Sequence, residues 1–151
     1  MEKNKGNVLI IDDDPLVLMN YADILEDAGY TPITASGTKQ AWNIIQSRAF
    51  DLIVCDHDLA DGKGIDLIKK MNAAGKNYPV IYLSAAQPEI LSEAASLQSV
   101  KKVLTKPVGK EILIDTLSRF KKDEAGEIIY PKLIGTEERR MLLDDTFKDS
   151  I

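Results

Sequence analysis

Five short apolar runs recur along the chain, at residues 7–11, 30–34, 51–55, 79–83 and 100–104, and each is followed by a stretch with helical spacing. Strand and helix thus alternate with short connections, an order that predicts a parallel sheet covered by helices on both faces. Right-handed crossovers then favour a doubly wound α/β fold with five strands in the order 2-1-3-4-5 and five helices, at residues 15–28, 37–48, 65–74, 89–97 and 109–122.

The third run is the most informative. Leu52-Ile53-Val54-Cys55 reads as a strand buried on both faces, so Asp56 falls at the first position able to meet solvent. An Asp/Gly-rich loop, His57 to Gly64, then turns the chain back. Asp56 is where chemistry is expected. After the first run comes Asp12-Asp13-Asp14-Pro15, in which Asp14 suits a helix N-cap and Pro15 the first helical position; Gly29 stops that helix.

Composition bounds the rest. At 151 residues, 44% hydrophobic and 28% charged, the chain suits one globular domain with an appendage, and no apolar run approaches the roughly 20 residues of a membrane span. The first strand follows so soon after Met1 that a signal peptide is not expected, and the single Cys55 fits a reducing, cytoplasmic compartment. Up to residue 122, 16 acids face 15 bases, whereas residues 123–151 carry 8 acids against 4 bases. The expected division is a domain over 1–122 and an acidic linker or docking tail over 123–151, with an apolar patch at 128–134 and a short helix at 136–147. Such a tail is a poor nucleic-acid binder, because phosphate backbones demand Lys and Arg.

In an open parallel sheet the functional crevice lies at the carboxyl ends of the strands. Asp12, Asp13, Asp56, Ser84 and Lys106 all fall there. Converging carboxylates repel, each pair at about 4 Å costing on the order of 4 kcal/mol at an effective dielectric of about 20. Lys106 supplies one positive charge and a divalent cation can supply two more. Oxygen-only ligands favour Mg²⁺, which keeps positions open for water or phosphate oxygens. The site is read as phosphoryl-handling. Asp56 is the carboxylate nucleophile, Asp13 and, through water, Asp12 are the metal residues, and Lys106 is a point charge. Ser84 would hydrogen-bond the phosphoryl group once it is present.

The motifs resemble those of the response-regulator receiver domain of two-component signalling. Val8 to Pro15 is similar to its acidic-pair motif, Asp56 to Gly64 to its phosphoacceptor loop, Pro79 to Ala85 to its hydroxyl motif and Leu104 to Pro107 to its lysine motif. The resemblance runs from about Val8 to Lys122, with the motifs in order. It implies a flavodoxin-like receiver fold, phosphorylation of Asp56 by a sensor histidine kinase or histidine phosphotransfer protein, and slow self-catalysed hydrolysis. It also implies that the backbone carbonyl of Asp58 joins Asp13 and Asp56 on the metal, and that Asp58 and Ala86 tune the phosphoryl lifetime. The last two helices and the strand between them are the surface expected to change, and a candidate homodimer face. Two positions depart from the family: Ala60 stands where Pro is common, and Val103 where an aromatic ring usually swings inward. Tyr82, on the preceding strand, is not at the equivalent place.

Plainer readings apply to neighbouring residues. His57 is expected to be solvated, Trp42 and Cys55 to pack, Gly62 and Gly64 to serve loop and helix entry, and Lys101-Lys102 to be a solvated strand edge. Three rival functions share parts of the pattern. A flavodoxin-like electron carrier would need a hydroxyl- and glycine-rich phosphate cradle after the first strand, where this chain has acids. A haloacid-dehalogenase-like phosphatase is imitated by Asp56-His57-Asp58, but its motif lies on the first strand and its metal acids late in the chain. A receiver-like binding module that is not phosphorylated would have little use for the intact set of site residues.

Overall fold

The computed structural model describes residues 4–122 and 128–129. Strand β1 (Asn7–Ile11) is followed by α1 (Pro15–Asp27), β2 (Thr31–Ala35), α2 (Thr38–Ser47) and β3 (Leu52–Asp56). Then come α3 (Gly64–Ala73), β4 (Val80–Ser84), α4 (Pro88–Ser96), β5 (Val100–Thr105) and α5 (Lys110–Ser118). The five strands form one parallel sheet in the order β2-β1-β3-β4-β5, as the alternation predicts. Among the described residues no helix is long and apolar enough to cross a membrane.

Strand alternation divides the interior into two cores. Leu9, Ile11, Ile53, Cys55, Val80 and Tyr82 face the side carrying α2, α3 and α4, where Ala41, Ile45, Ile68, Met71, Leu91 and Ala94 meet them. Val8, Ile10, Val54, Ile81 and Leu83 face the other side, against Tyr21 and Leu25 of α1 and Leu113 and Leu117 of α5. Every residue of β3 and β4 is buried, which explains why these runs show no polar alternation. Fully burying one such aliphatic side chain contributes about 1.5–3 kcal/mol, so the two cores hold the strand ends in fixed register.

The helix starts follow two routes. Asp14 caps α1 locally, its carboxylate accepting from the Leu16 amide at 2.9 Å. Gly37, before α2, has no side chain to do this. Instead Asp61, in the loop after β3, accepts from the Thr38 and Lys39 amides at 2.7 and 3.1 Å. That loop carries a two-residue ribbon, Asp58–Leu59 paired with Gly62–Lys63, and is thereby fastened to α2.

Two boundaries differ from expectation in substance. The β3 strand includes Asp56 as its last residue, so the acid is held by sheet backbone rather than by the loop. The last helix ends at Ser118 and does not reach residue 122. Phe120 is buried with the α1 and α5 side chains. Lys121–Lys122 then pairs antiparallel with Ile128–Ile129. The expected linker over 123–127, the remainder of the apolar patch and the expected helix at 136–147 lie outside the described residues.

Candidate functional site

The carboxyl ends of four strands converge. Asp12 and Asp13 follow β1, Asp56 ends β3, Ser84 ends β4 and Lys106 follows β5. The Lys106 amide donates to the Ser84 carbonyl at 2.8 Å and the Asp12 amide to the Ala35 carbonyl at 3.1 Å, so the sheet hydrogen-bonding continues into the site. The peptide between Lys106 and Pro107 is cis.

Asp12, Asp13 and Asp56 each bring one carboxylate oxygen into a group whose members lie within 4.8 Å of one another. Asp12 and Asp56 are buried, at 2% and 4% exposure, and Asp13 is exposed. Lys106 Nζ stands 3.1 Å from Oδ1 of Asp56 and 3.6 Å from Oδ2 of Asp12. Oδ1 of Asp12 accepts from the Asp14 amide at 2.9 Å, while its Oδ2 and the Ser84 hydroxyl are buried without a hydrogen-bond partner. Buried polar atoms are rarely left so, and both point to a guest group.

The charges are incompletely compensated. Burial raises the Asp56 pKa, Lys106 draws it down, Asp12 pushes it up again, and the net direction is upward. Burial also works against the Lys106 charge, but Asp56 and Asp12 outweigh it and lift the ammonium above its ordinary value. One amine among three carboxylates leaves a donor set of oxygens suited to a hard divalent cation.

The Asp58 carboxylate is not in this group. It is exposed and pairs with Lys63 at 2.6 Å, a contact that lowers its pKa. Ala60 and Ala86 are both exposed. Val103 is buried on the α3 and α4 side, level with Tyr82 across the β4–β5 pair. Cys55 is fully buried, and burial first, then Asp56 and Asp12, push its thiol pKa upward, away from reactivity. Trp42 packs against the α2–α4 core with the Lys70 ammonium 4.6 Å from its ring centroid. Lys101 and Lys102 are half-buried on the edge strand, and Lys101 donates to the Gln98 carbonyl at 2.8 Å.

His57 corrects the expectation of a solvated side chain: it is 6% exposed, and its Nδ1 lies 2.5 Å from the Tyr82 hydroxyl. The cause is the backbone. The His57 amide donates to the Leu83 carbonyl at 2.8 Å, so the chain stays sheet-like for one residue past β3. Alternation then sends the imidazole to the face opposite the Asp56 side chain, where Tyr82 lies. Gly64, at the start of α3, is pressed on the same spot; a Cβ there would collide with the Asp56 carbonyl oxygen and stand 2.9 Å from Cys55 Sγ. A hydroxylated ring inside the otherwise aliphatic run 80–83 was the available sequence signal for this contact. The Asp61 cap, 23 residues distant in sequence from Thr38, had no local signal.

A doubly wound parallel sheet that gathers three carboxylates, a hydroxyl and an amine at its strand ends defines a receiver-type domain. The profile of the response regulator receiver domain matches residues 8–118, and the chain belongs to that family. It is similar to the alginate biosynthesis transcriptional regulatory protein AlgB of Pseudomonas putida, 27% identical over 87% of this chain and 31% of that protein. It is also similar to the swarming motility regulation protein RssB of Serratia marcescens, 32% identical over 80% of this chain and 55% of that protein. The chain therefore spans from about a third to about half the length of these relatives. Among solved structures, the receiver domain of Francisella response regulator 1452 superposes with a TM-score of 0.70 at 30% identity, covering 75% of this chain and 93% of that one. The chemotaxis response regulator CheY4 of Vibrio cholerae gives 0.69 at 28% identity, covering 77% and 98%.

Proposed function

We propose that this receiver domain takes a phosphoryl group onto Asp56 from a phosphohistidine carried by a sensor histidine kinase or a histidine phosphotransfer protein. The observation that carries this reading is the meeting of Asp12, Asp13 and Asp56 beside Lys106. A carboxylate oxygen of Asp56 attacks phosphorus while the P–N bond breaks and its electron pair returns to the donor imidazole. Lys106 places a positive charge beside Oδ1 of Asp56, and the Ser84 hydroxyl, buried and without a hydrogen-bond partner, donates to a phosphoryl oxygen once it arrives. Such a charge-assisted hydrogen bond contributes roughly 1.5–3 kcal/mol, enough to draw the β4–α4 connection inward. Water later attacks the acyl phosphate, releasing phosphate and restoring the carboxylate.

The residues that would hold Mg²⁺ are Asp12, Asp13 and Asp56, with the backbone carbonyl of Asp58. When bound, it supplies neutralising charge for the phosphoryl oxygens and the surrounding carboxylates. The Asp12 Oδ2, buried without a hydrogen-bond partner, and the oxygen-only donor set support this choice.

A partner surface is available at the same end of the fold. Leu16 and Met19 on α1 and Ile112 on α5 are 74%, 60% and 48% exposed, and both helices begin where the site residues lie. A histidine-bearing helical partner that covers these side chains would seat its imidazole over Asp56, and a cytoplasmic location fits such a partner. With Val103 in place of an aromatic ring, the response is carried by the segment from Ser84 into α4 rather than by a swinging side chain.

Incubation with a small acyl phosphate and Mg²⁺, followed by intact mass, tests the reading. Wild type gains one phosphoryl group and Asp56→Ala gains none. Continuous turnover of phosphate esters, or wild type unmodified by the acyl phosphate, overturns it in favour of a phosphatase or a pure binding module.

A further inference from the structure

The Tyr82–His57 contact lies outside the chemistry above, yet it adjoins the acceptor. Tyr82 is fully buried in the α2–α4 core, and its ring meets the His57 ring edge-on with centroids 5.7 Å apart. The phenol oxygen and His57 Nδ1 lie 2.5 Å apart in a hydrogen bond whose donor is set by the imidazole tautomer. The His57 backbone is held as well: its amide donates to the Leu83 carbonyl and its carbonyl accepts from the Gly64 amide, both at 2.8 Å. His57 is therefore fixed through backbone and side chain to β4 and α3, while its chain neighbours are Asp56 and Asp58.

We propose that Tyr82 and His57 form a positioning couple that fixes the backbone between Asp56 and Asp58, and so presets the distance between the Asp56 carboxylate and the Asp58 carbonyl. This rests on the phosphoacceptor reading, because that reading makes both groups metal ligands. Neither ring touches the reacting atoms; the couple sits on the opposite face of the sheet from the Asp56 side chain and acts through main chain alone. The consequence is a separation of effects. Loosening the couple weakens Mg²⁺ binding, whereas chemistry at saturating Mg²⁺ is preserved. Outer residues that orient metal ligands are typically worth 10–100-fold in affinity or activity.

The test is calorimetric titration of the full chain with Mg²⁺, without phosphodonor, alongside acyl-phosphate rates at saturating Mg²⁺. Tyr82→Phe and His57→Leu are expected to weaken Mg²⁺ binding about tenfold, and to leave the saturated rate within about twofold of wild type. His57→Asn, whose side-chain amide offers the Tyr82 hydroxyl both an acceptor and a donor, is expected to recover most of the affinity; it decides the matter by itself against His57→Leu should Tyr82→Phe not fold. His57 is the chain's one histidine, so its Nδ1 nitrogen resonance is unambiguous and should move when Mg²⁺ is added. Wild type that is phosphorylated, with the variants binding Mg²⁺ as it does, overturns the positioning role alone. Wild type that neither binds Mg²⁺ nor accepts phosphate overturns the phosphoacceptor reading and the couple with it.

Discussion

Lys106 bridges two buried carboxylates, with Nζ 3.1 Å from Oδ1 of Asp56 and 3.6 Å from Oδ2 of Asp12. The ammonium is about a third exposed, at 32%, whereas the two acids are almost wholly covered. A cation in that position ties the carboxyl ends of β1 and β3 to the residue that follows β5, and it is outnumbered by the acids around it.

Lys106→Met should therefore lower stability when no divalent cation is present. Removing one partner of a buried pair costs about 3–5 kcal/mol, and the partial exposure of Lys106 reduces that to about 1–2 kcal/mol. Added Mg²⁺ should recover part of the loss. Thermal melts with and without Mg²⁺ check both statements; a variant as stable as wild type in metal-free buffer would contradict the bridging role.

Asp56→Asn should do the reverse. The amide keeps the shape of the carboxylate and removes one of three mutually repelling charges, leaving Lys106 to Asp12. An increase of roughly 1 kcal/mol, about 3 °C in a domain of this size, is expected in metal-free buffer. Mg²⁺ should then stabilise wild type more than the variant, a comparison read directly from paired melting curves.

Gly64 is constrained by contact rather than by conformation. Its Cβ would meet the Asp56 carbonyl oxygen and lie 3.1 Å from the Tyr82 hydroxyl, and no flexible side-chain end is there to yield. Gly64→Ala is expected to cost about 1–3 kcal/mol, the usual range for overpacking, and to displace the acceptor backbone. Gly75 has φ +80 with open space around it, so Gly75→Ala reports backbone strain alone. Urea denaturation of both, with phosphorylation by acyl phosphate as a second readout, should find acceptor activity impaired only in Gly64→Ala.

The sheet order was legible because each apolar run is short, followed by a helix and closed by a polar residue, which leaves few topologies. Asp12, Asp13, Asp56, Ser84 and Lys106 could be placed together for the same reason: strand ends in a parallel sheet share one edge. What could not be read were contacts between residues distant in sequence that share no periodicity. His57 looks like a loop histidine until the Leu83 carbonyl is seen to prolong the strand beneath it. The stop of α5 at Ser118 has no sequence signal, because Leu113, Leu117 and Phe120 keep the spacing of one helix face up to residue 120.

Asp61 offers a pH-dependent test of the loop that carries the acceptor. The Thr38 and Lys39 amides, in that order, hold its carboxyl below the ordinary value of 3.8, and Lys39 and Thr38 open α2. A carboxylate with a depressed folded-state pKa contributes stability that is fully present above its unfolded value and is lost as pH falls through the folded one. Asp61→Ala should thus melt below wild type at pH 7, and the difference should shrink as pH drops beneath about 3.8. Because the same carboxylate ties the loop of Asp58 and Lys63 to α2, the variant should also show faster amide exchange at Thr38 and Lys39 at neutral pH. Equal melting temperatures across pH 3 to 7 would mean that the cap contributes nothing, and that the loop is held by its Asp58–Lys63 pairing alone.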